Sequence, residues 1–185
     1  MNYKQILLSL VTFSLAVYIP LVTAYAQEAS SSSANAMPTS VDYQLPYPGL
    51  LPDNPLYFLK VFRDNLTAVF LSKPLDKAKF DLLQSDKKVE ASYLLVTQQQ
   101  GKTVLAAQTF SQAQDEFAAA ITQTANAKKQ GYSVQEISKN LENAHQKHVQ
   151  MLHALEQQTG QKDSQTFQKM RNREAVFTKT LMTLR

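Results

Sequence analysis

Cysteine and tryptophan are both absent from this 185-residue chain. Without cysteine there can be no disulfide, thiolate zinc site, cysteine nucleophile or lipid attachment through an N-terminal cysteine. Glycine is scarce, at 4 residues, and no glycine-rich phosphate loop, serine elbow or nucleophile–base spacing occurs. Acids that could cooperate, such as Asp115 and Glu116, are adjacent on a helix and point apart. The sequence therefore reads as non-catalytic and implies no cofactor. Basic runs interleaved with aromatics are also missing, and a net charge of +4 is mild for a nucleic-acid binder of this size. No nucleic acid is expected among its partners.

What is there begins with 44% hydrophobic residues, enough to give one domain a real core. The chain opens on one cation, Lys4, an apolar stretch over residues 6–17, the helix breaker Pro20, and Ala24-Tyr25-Ala26. This is the layout of a signal peptide over residues 1–26, with cleavage after Ala26 and a secreted or extracytoplasmic, cell-envelope location. The competing reading keeps the segment as an anchor, since residues 6–26 are just long enough to span a bilayer. Membrane contact is then expected only through that segment. Cleavage removes a single charge, Lys4, and leaves 18 basic against 15 acidic residues, or +3.

Residues 27–42 are small, polar and Ser-rich without any period, which suits a disordered tether. Tyr43-Gln44-Leu45-Pro46-Tyr47-Pro48-Gly49-Leu50-Leu51-Pro52 carries too many prolines for a helix and too many apolar groups for a free linker. It is expected to lie extended on the domain with Leu45, Leu50 and Leu51 tucked in. The domain proper then spans residues 43–185.

Everything after Asn54 carries helical period, and short connections predict an all-α, up-and-down antiparallel bundle of about five helices. Asn54-Pro55 predicts a start, with Asn54 as cap and Pro55 in the first turn. The first helix, to about residue 71, places Leu59, Phe62, Leu66 and Val69 on one apolar stripe. Lys73-Pro74 opens a second, over residues 74–100, with Leu75, Leu82, Val89 and Val96 every seven and Phe80, Leu83 and Leu94 widening the face. Gly101 separates it from a third, over 103–130, whose seam is Ala106, Phe110, Ala113, Phe117, Ala120, Thr124 and Ala127. A continuous rod through Gly101 is the alternative. Ser133-Val134-Gln135-Glu136 fits a capping box and starts a fourth helix with the seam Val134, Ile137, Leu141, Ala144, His148, Met151 and Leu155. Asp163 or Ser164 caps a fifth, striped by Phe167, Met170, Phe177, Leu181 and Leu184.

The stretch Leu50-Leu51-Pro52-Asp53-Asn54-Pro55-Leu56-Tyr57-Phe58-Leu59-Lys60 is the most distinctive in the chain. It resembles the opening motif, Leu-Pro-Asp-x-Pro-Leu-Tyr-x-Leu-Lys, of a family of exported bacterial helical proteins classed as a domain of unknown function. That resemblance implies export and a helical fold, and no catalytic residue. Read physically, Pro52 and Pro55 set the approach of the chain, Asn54 caps, and Leu56 and Leu59 dock the first turn. Tyr57 is placed to present its hydroxyl at the domain edge, and Lys60 to reach an acid.

All three histidines fall on the fourth helix. Glu142, His145 and His148 follow one another at spacings of three, so they share part of one helix surface. Glu-x-x-His is half of a di-metal ligand set, but no second copy is present. The blander reading makes His148 a buried, hydrogen-bonded seam residue, so that His148→Leu is near neutral unless it strands a partner. Lys169, Arg171, Arg173, Lys179 and Arg185 gather on the last helix against Glu174, a set that would suit anionic lipid or cell-wall polymer, the blander reading being a solvated face. The expected function is binding of a protein or an anionic cell-envelope component. The alternative is a small-ligand or metal sensor built around His145 and His148.

Overall fold

The computed structural model describes residues 42–98, 101–161 and 164–184. The signal peptide, the tether apart from Asp42, and the candidate cap Asp163 lie outside the described residues. Among the described residues five helices follow in order: α1 (Tyr57–Phe70), α2 (Pro74–Thr97), α3 (Thr103–Lys129), α4 (Gln135–Thr159) and α5 (Gln165–Met182). No strand occurs among the described residues, and the fold is all-α.

Helices α2 to α5 run up and down around two apolar clusters, one towards each end. The start of α2 and the end of α3 meet the start of α4 and the end of α5 through Ala78, Leu82, Phe117, Ile121, Leu141 and Phe177. Towards the other end, Val89, Leu95, Phe110, Leu152, Phe167 and Met170 meet. That exchange of starts and ends is what an antiparallel order requires. The alternation of alanine and phenylalanine on α3 is buried along its whole seam, because small residues let neighbouring backbones approach while the rings fill the gaps between them.

The ends of the helices follow local chemistry, with two departures, at Asn54 and Ser133. Gly101 has φ of +90°, a conformation that L side chains rarely adopt, so α2 and α3 are separate helices and not one rod. Asn54 Oδ1 accepts from the Leu56 N–H at 2.9 Å in an Asx turn, and α1 starts later, with Leu56 at its cap position. The Ser133 capping box does not form: Val134 holds the cap position with no side-chain bond, since its isopropyl group is drawn into the core. Ser164 does cap α5, its Oγ accepting from the Phe167 N–H.

The largest departure is α1. None of its residues is buried. Leu59, Phe62, Leu66 and Val69, the stripe expected in the core, point outward with exposures of 51%, 67%, 48% and 78%. Phe58 and Phe70 join them on the solvent side, and Leu56 is also exposed. At 100° per residue the half-buried positions Tyr57, Lys60, Asp64 and Ala68 fall on the opposite side of the helix. The helix thus turns its polar side to the bundle.

Candidate functional site

Two places collect chemistry-bearing side chains, and the first is a polar layer between the apolar clusters. His148 Nε2 donates to Asp86 Oδ1 at 2.7 Å, and the Tyr43 hydroxyl donates to Asp86 Oδ2 at 2.6 Å. Burial, and then the Asp86 carboxylate beside it, hold the Tyr43 phenol far above its ordinary range, so it stays a neutral donor. On the other side, Glu174 accepts from Gln114 Nε2 at 2.6 Å. His145 Nε2 is hydrogen-bonded to the Glu174 carbonyl oxygen at 3.1 Å and lies 3.2 Å from its carboxylate. The Phe117 ring packs against both imidazoles.

The two histidines therefore serve different acids. Glu142, which the spacing groups with them, is half-buried. No group of three His, Cys, Asp or Glu side chains among the described residues stands close enough to hold one metal ion. His153 is on the surface, 3.3 Å from Glu156. Asp86 went unnamed in the reading of the sequence and Glu174 was set among the surface charges of the last helix, whereas both are buried, and a signal existed. Glu174 occupies the slot between Met170 and Phe177 that the 3/4 spacing reserves for a core residue, and Asp86 falls between Leu82 and Val89. A charged residue in a seam slot is buried only when it has partners, and both have them.

The second place is the outer edge formed by the Pro-rich segment and α1. Tyr43, Leu45 and Leu51 pack on the clusters and Pro48 is buried, while Asp53 accepts from Lys102 at 2.6 Å. Leu50 departs from the expected clamp, since it is exposed while the next residue, Leu51, takes the inward place. Pro52 and Pro55 shape the turns that lead into α1.

Between α1 and the bundle lies a polar seam around a cavity of about 110 Å³, lined by Tyr57, Lys60, Asp64, Asp81, Lys88 and Glu116 among others. Lys60 reaches its acid within its own helix, Asp64 at 3.3 Å, and lies over the Tyr57 ring. Burial pulls the Lys60 ammonium below its usual range. Burial and then the neighbouring Asp64 raise the Tyr57 phenol. Burial, then Glu116, push Asp81 up to about 6. Lys88 and Glu116 pair across the seam. On the outer side, Tyr47, Leu50, Leu59, Lys60, Arg63 and Lys87 line an open cleft of about 500 Å³ whose lining includes no acid.

The cations of the last helix form no comparable patch. Arg171 pairs with the buried Glu156 and Arg173 with Asp115 at 2.6 Å. Arg185 lies outside the described residues, and Lys169 and Lys179 remain on the solvent side.

The sequence model of a family described as "Domain of unknown function (DUF5667)" matches residues 49–171, which contain α1 to α4 and the motif at residues 50–60. No curated protein and no solved structure matches the chain.

Proposed function

Because the chain belongs to the DUF5667 family, a domain of unknown function, no activity carries over from relatives, and we propose from its surface that it is a non-catalytic binding protein. Its partner is a protein or cell-envelope component, engaged by the outward side of α1. It is exported by the segment at residues 1–26 and acts outside the cytoplasm. We read residues 50–60 as the opening of the family's domain, a clamp that delivers α1 to the bundle edge. One observation carries the proposal: α1 directs Leu59, Phe62, Leu66 and Val69 to solvent and its charged residues Lys60 and Asp64 to the bundle. Burying each such side chain is worth about 1.5–3 kcal/mol. A contiguous exposed apolar face of this kind marks an interaction site.

The non-catalytic reading is supported by the mid-bundle layer, where Asp86, His148, His145 and Glu174 are buried and engaged with one another, Tyr43 and Gln114. The alternative, a sensor built around His145 and His148, is weakened by the same pairing, since each imidazole is already engaged with its own acid.

The test uses residues 27–185, which contain both apolar clusters. Phe62→Ser/Val69→Ser should leave the helical circular dichroism spectrum and melting temperature within error, because exposed positions tolerate substitution. Retention on a bacterial envelope fraction should fall at least tenfold by sedimentation. Undiminished retention of the double variant would remove the reading.

A further inference from the structure

Resting on that reading, we infer that the partner of α1 is an anionic lipid bilayer, into whose interfacial zone the outward face of the helix inserts while the adjoining basic cleft holds headgroup phosphates. The apolar side presents three phenylalanines, Phe58, Phe62 and Phe70, with Leu59, Leu66 and Val69. Large rings and aliphatic chains gathered on one side of a helix suit insertion at the boundary of headgroups and acyl chains.

Charge complements that insertion. Asp64 is the one acid of α1; its side chain is 15% exposed and holds both Lys60, at 3.3 Å, and Arg63, at 2.7 Å, so the cations around it outnumber it. Lys60, Arg63 and Lys87 line the neighbouring cleft, and Leu59 belongs to both the cleft and the apolar side. A phosphate seated on Lys87 and Arg63, whose side chain is 66% exposed beside Asp64, is therefore continuous with acyl chains under Leu59. Tyr47, 80% exposed at the cleft wall, has the amphipathic ring favoured at membrane–water interfaces. Cations at this level attract anionic headgroups and lose that attraction as salt rises.

Size argues against a second copy of the chain as the occupant. A helix of 14 residues is about 21 Å long and roughly 10 Å wide, a footprint of about 200 Å². Even with side-chain relief doubling it, such a face falls short of the roughly 800 Å² per partner of a stable interface. A bilayer sets no such minimum and needs no matching shape.

Vesicle co-sedimentation of residues 27–185, which omit the N-terminal apolar stretch, tests the inference. Vesicles of phosphatidylcholine alone are compared with vesicles carrying phosphatidylglycerol, each at low and high salt. The wild type should bind the anionic vesicles at least tenfold better and lose most of that preference at high salt. Phe62→Ser/Val69→Ser should bind neither vesicle, and Arg63→Gln/Lys87→Gln should lose the anionic preference. Lys169→Gln/Lys179→Gln, which removes equal charge from α5, should behave as wild type. If that control loses binding as fully as Arg63→Gln/Lys87→Gln, bulk charge is responsible and the inference fails. It fails as well if the Phe62/Val69 variant binds like wild type. Absence of vesicle binding with α1-dependent retention on envelope fractions would overturn the lipid inference and leave the broader reading of α1 standing. A dimer in analytical ultracentrifugation that Phe62→Ser/Val69→Ser dissociates would assign the face to a second copy instead. Retention independent of α1 in both assays would remove both.

Discussion

His148 and Asp86 hold each other where side chains are 3% and 5% exposed, and that mutual dependence governs what substitution does there. Leucine would fit the volume of His148 and suit its apolar neighbours Ala144 and Leu152. It cannot donate to Asp86, however, and the carboxylate would keep only the Tyr43 hydroxyl. A buried polar group left short of a partner costs about 1–3 kcal/mol. His148→Leu should therefore lower the melting temperature by several degrees, at about 2–4 °C per kcal/mol for a chain of this size. The near-neutral outcome read from the sequence required that no partner be stranded, and here one is. Adding Asp86→Leu should recover only part of the loss, because it removes the under-partnered carboxylate but leaves the half-buried Tyr43 hydroxyl without its acceptor. Thermal melts of wild type, both single variants and the double variant measure this. The same melts with zinc address the sensor alternative: a zinc-dependent rise in wild type that vanishes in His148→Leu would favour the sensor over the binding reading.

At the scale of elements, α1 and the segment before it differ from the other helices in what keeps them in place. Helices α2 to α5 are held by ring and aliphatic burial. The first helix rests on the bundle through Tyr57, Lys60 and Asp64, beside a seam that raises Asp81 to about 6 and contributes little hydrophobic stabilisation. Its position is set by the covalent segment before it, anchored through Tyr43, Leu45, Pro48, Leu51 and the Asp53–Lys102 pair. Deleting residues 43–55 should consequently lower the melting temperature by clearly more than deleting residues 27–42. The longer-range anchors include a buried-partner hydrogen bond worth about 0.5–1.5 kcal/mol and the burial of two leucines. Differential scanning calorimetry of the two deletions decides it, and equal losses would move the domain boundary upstream. The α1 stripe shows why period alone misplaced this helix: a 3.6-residue apolar repeat identifies an amphipathic helix and says nothing of whether its apolar side meets the protein's own core or something else.

For the whole molecule, the proposed export makes a direct statement about mass. The protein recovered from outside the cytoplasm should begin at Gln27, seen by intact mass spectrometry, and a peptide containing Lys4 on the recovered protein would mean the segment is kept as an anchor. The helices, their order and the seams of α3 to α5 were legible in the sequence, because 3/4 spacing and helix-ending Gly and Pro act within a few residues. So was the burial of His148, which sits in an unbroken seam between Ala144 and Met151. The partners of that histidine were not legible. Asp86 is 62 residues away and Tyr43 is more than a hundred, and only the packing of α2, α4 and the Pro-rich segment brings them together. The neutralisation of Arg173 by Asp115 has the same origin in the meeting of α3 and α5. Local pattern determined which residues are helical and which side of each helix is apolar, since those depend on covalent spacing. Tertiary packing alone decided that α2 to α5 close a core without α1, leaving the most amphipathic-looking stripe of the chain facing outward. Whether an apolar face is buried depends on the space its neighbours leave, and no single segment specifies that.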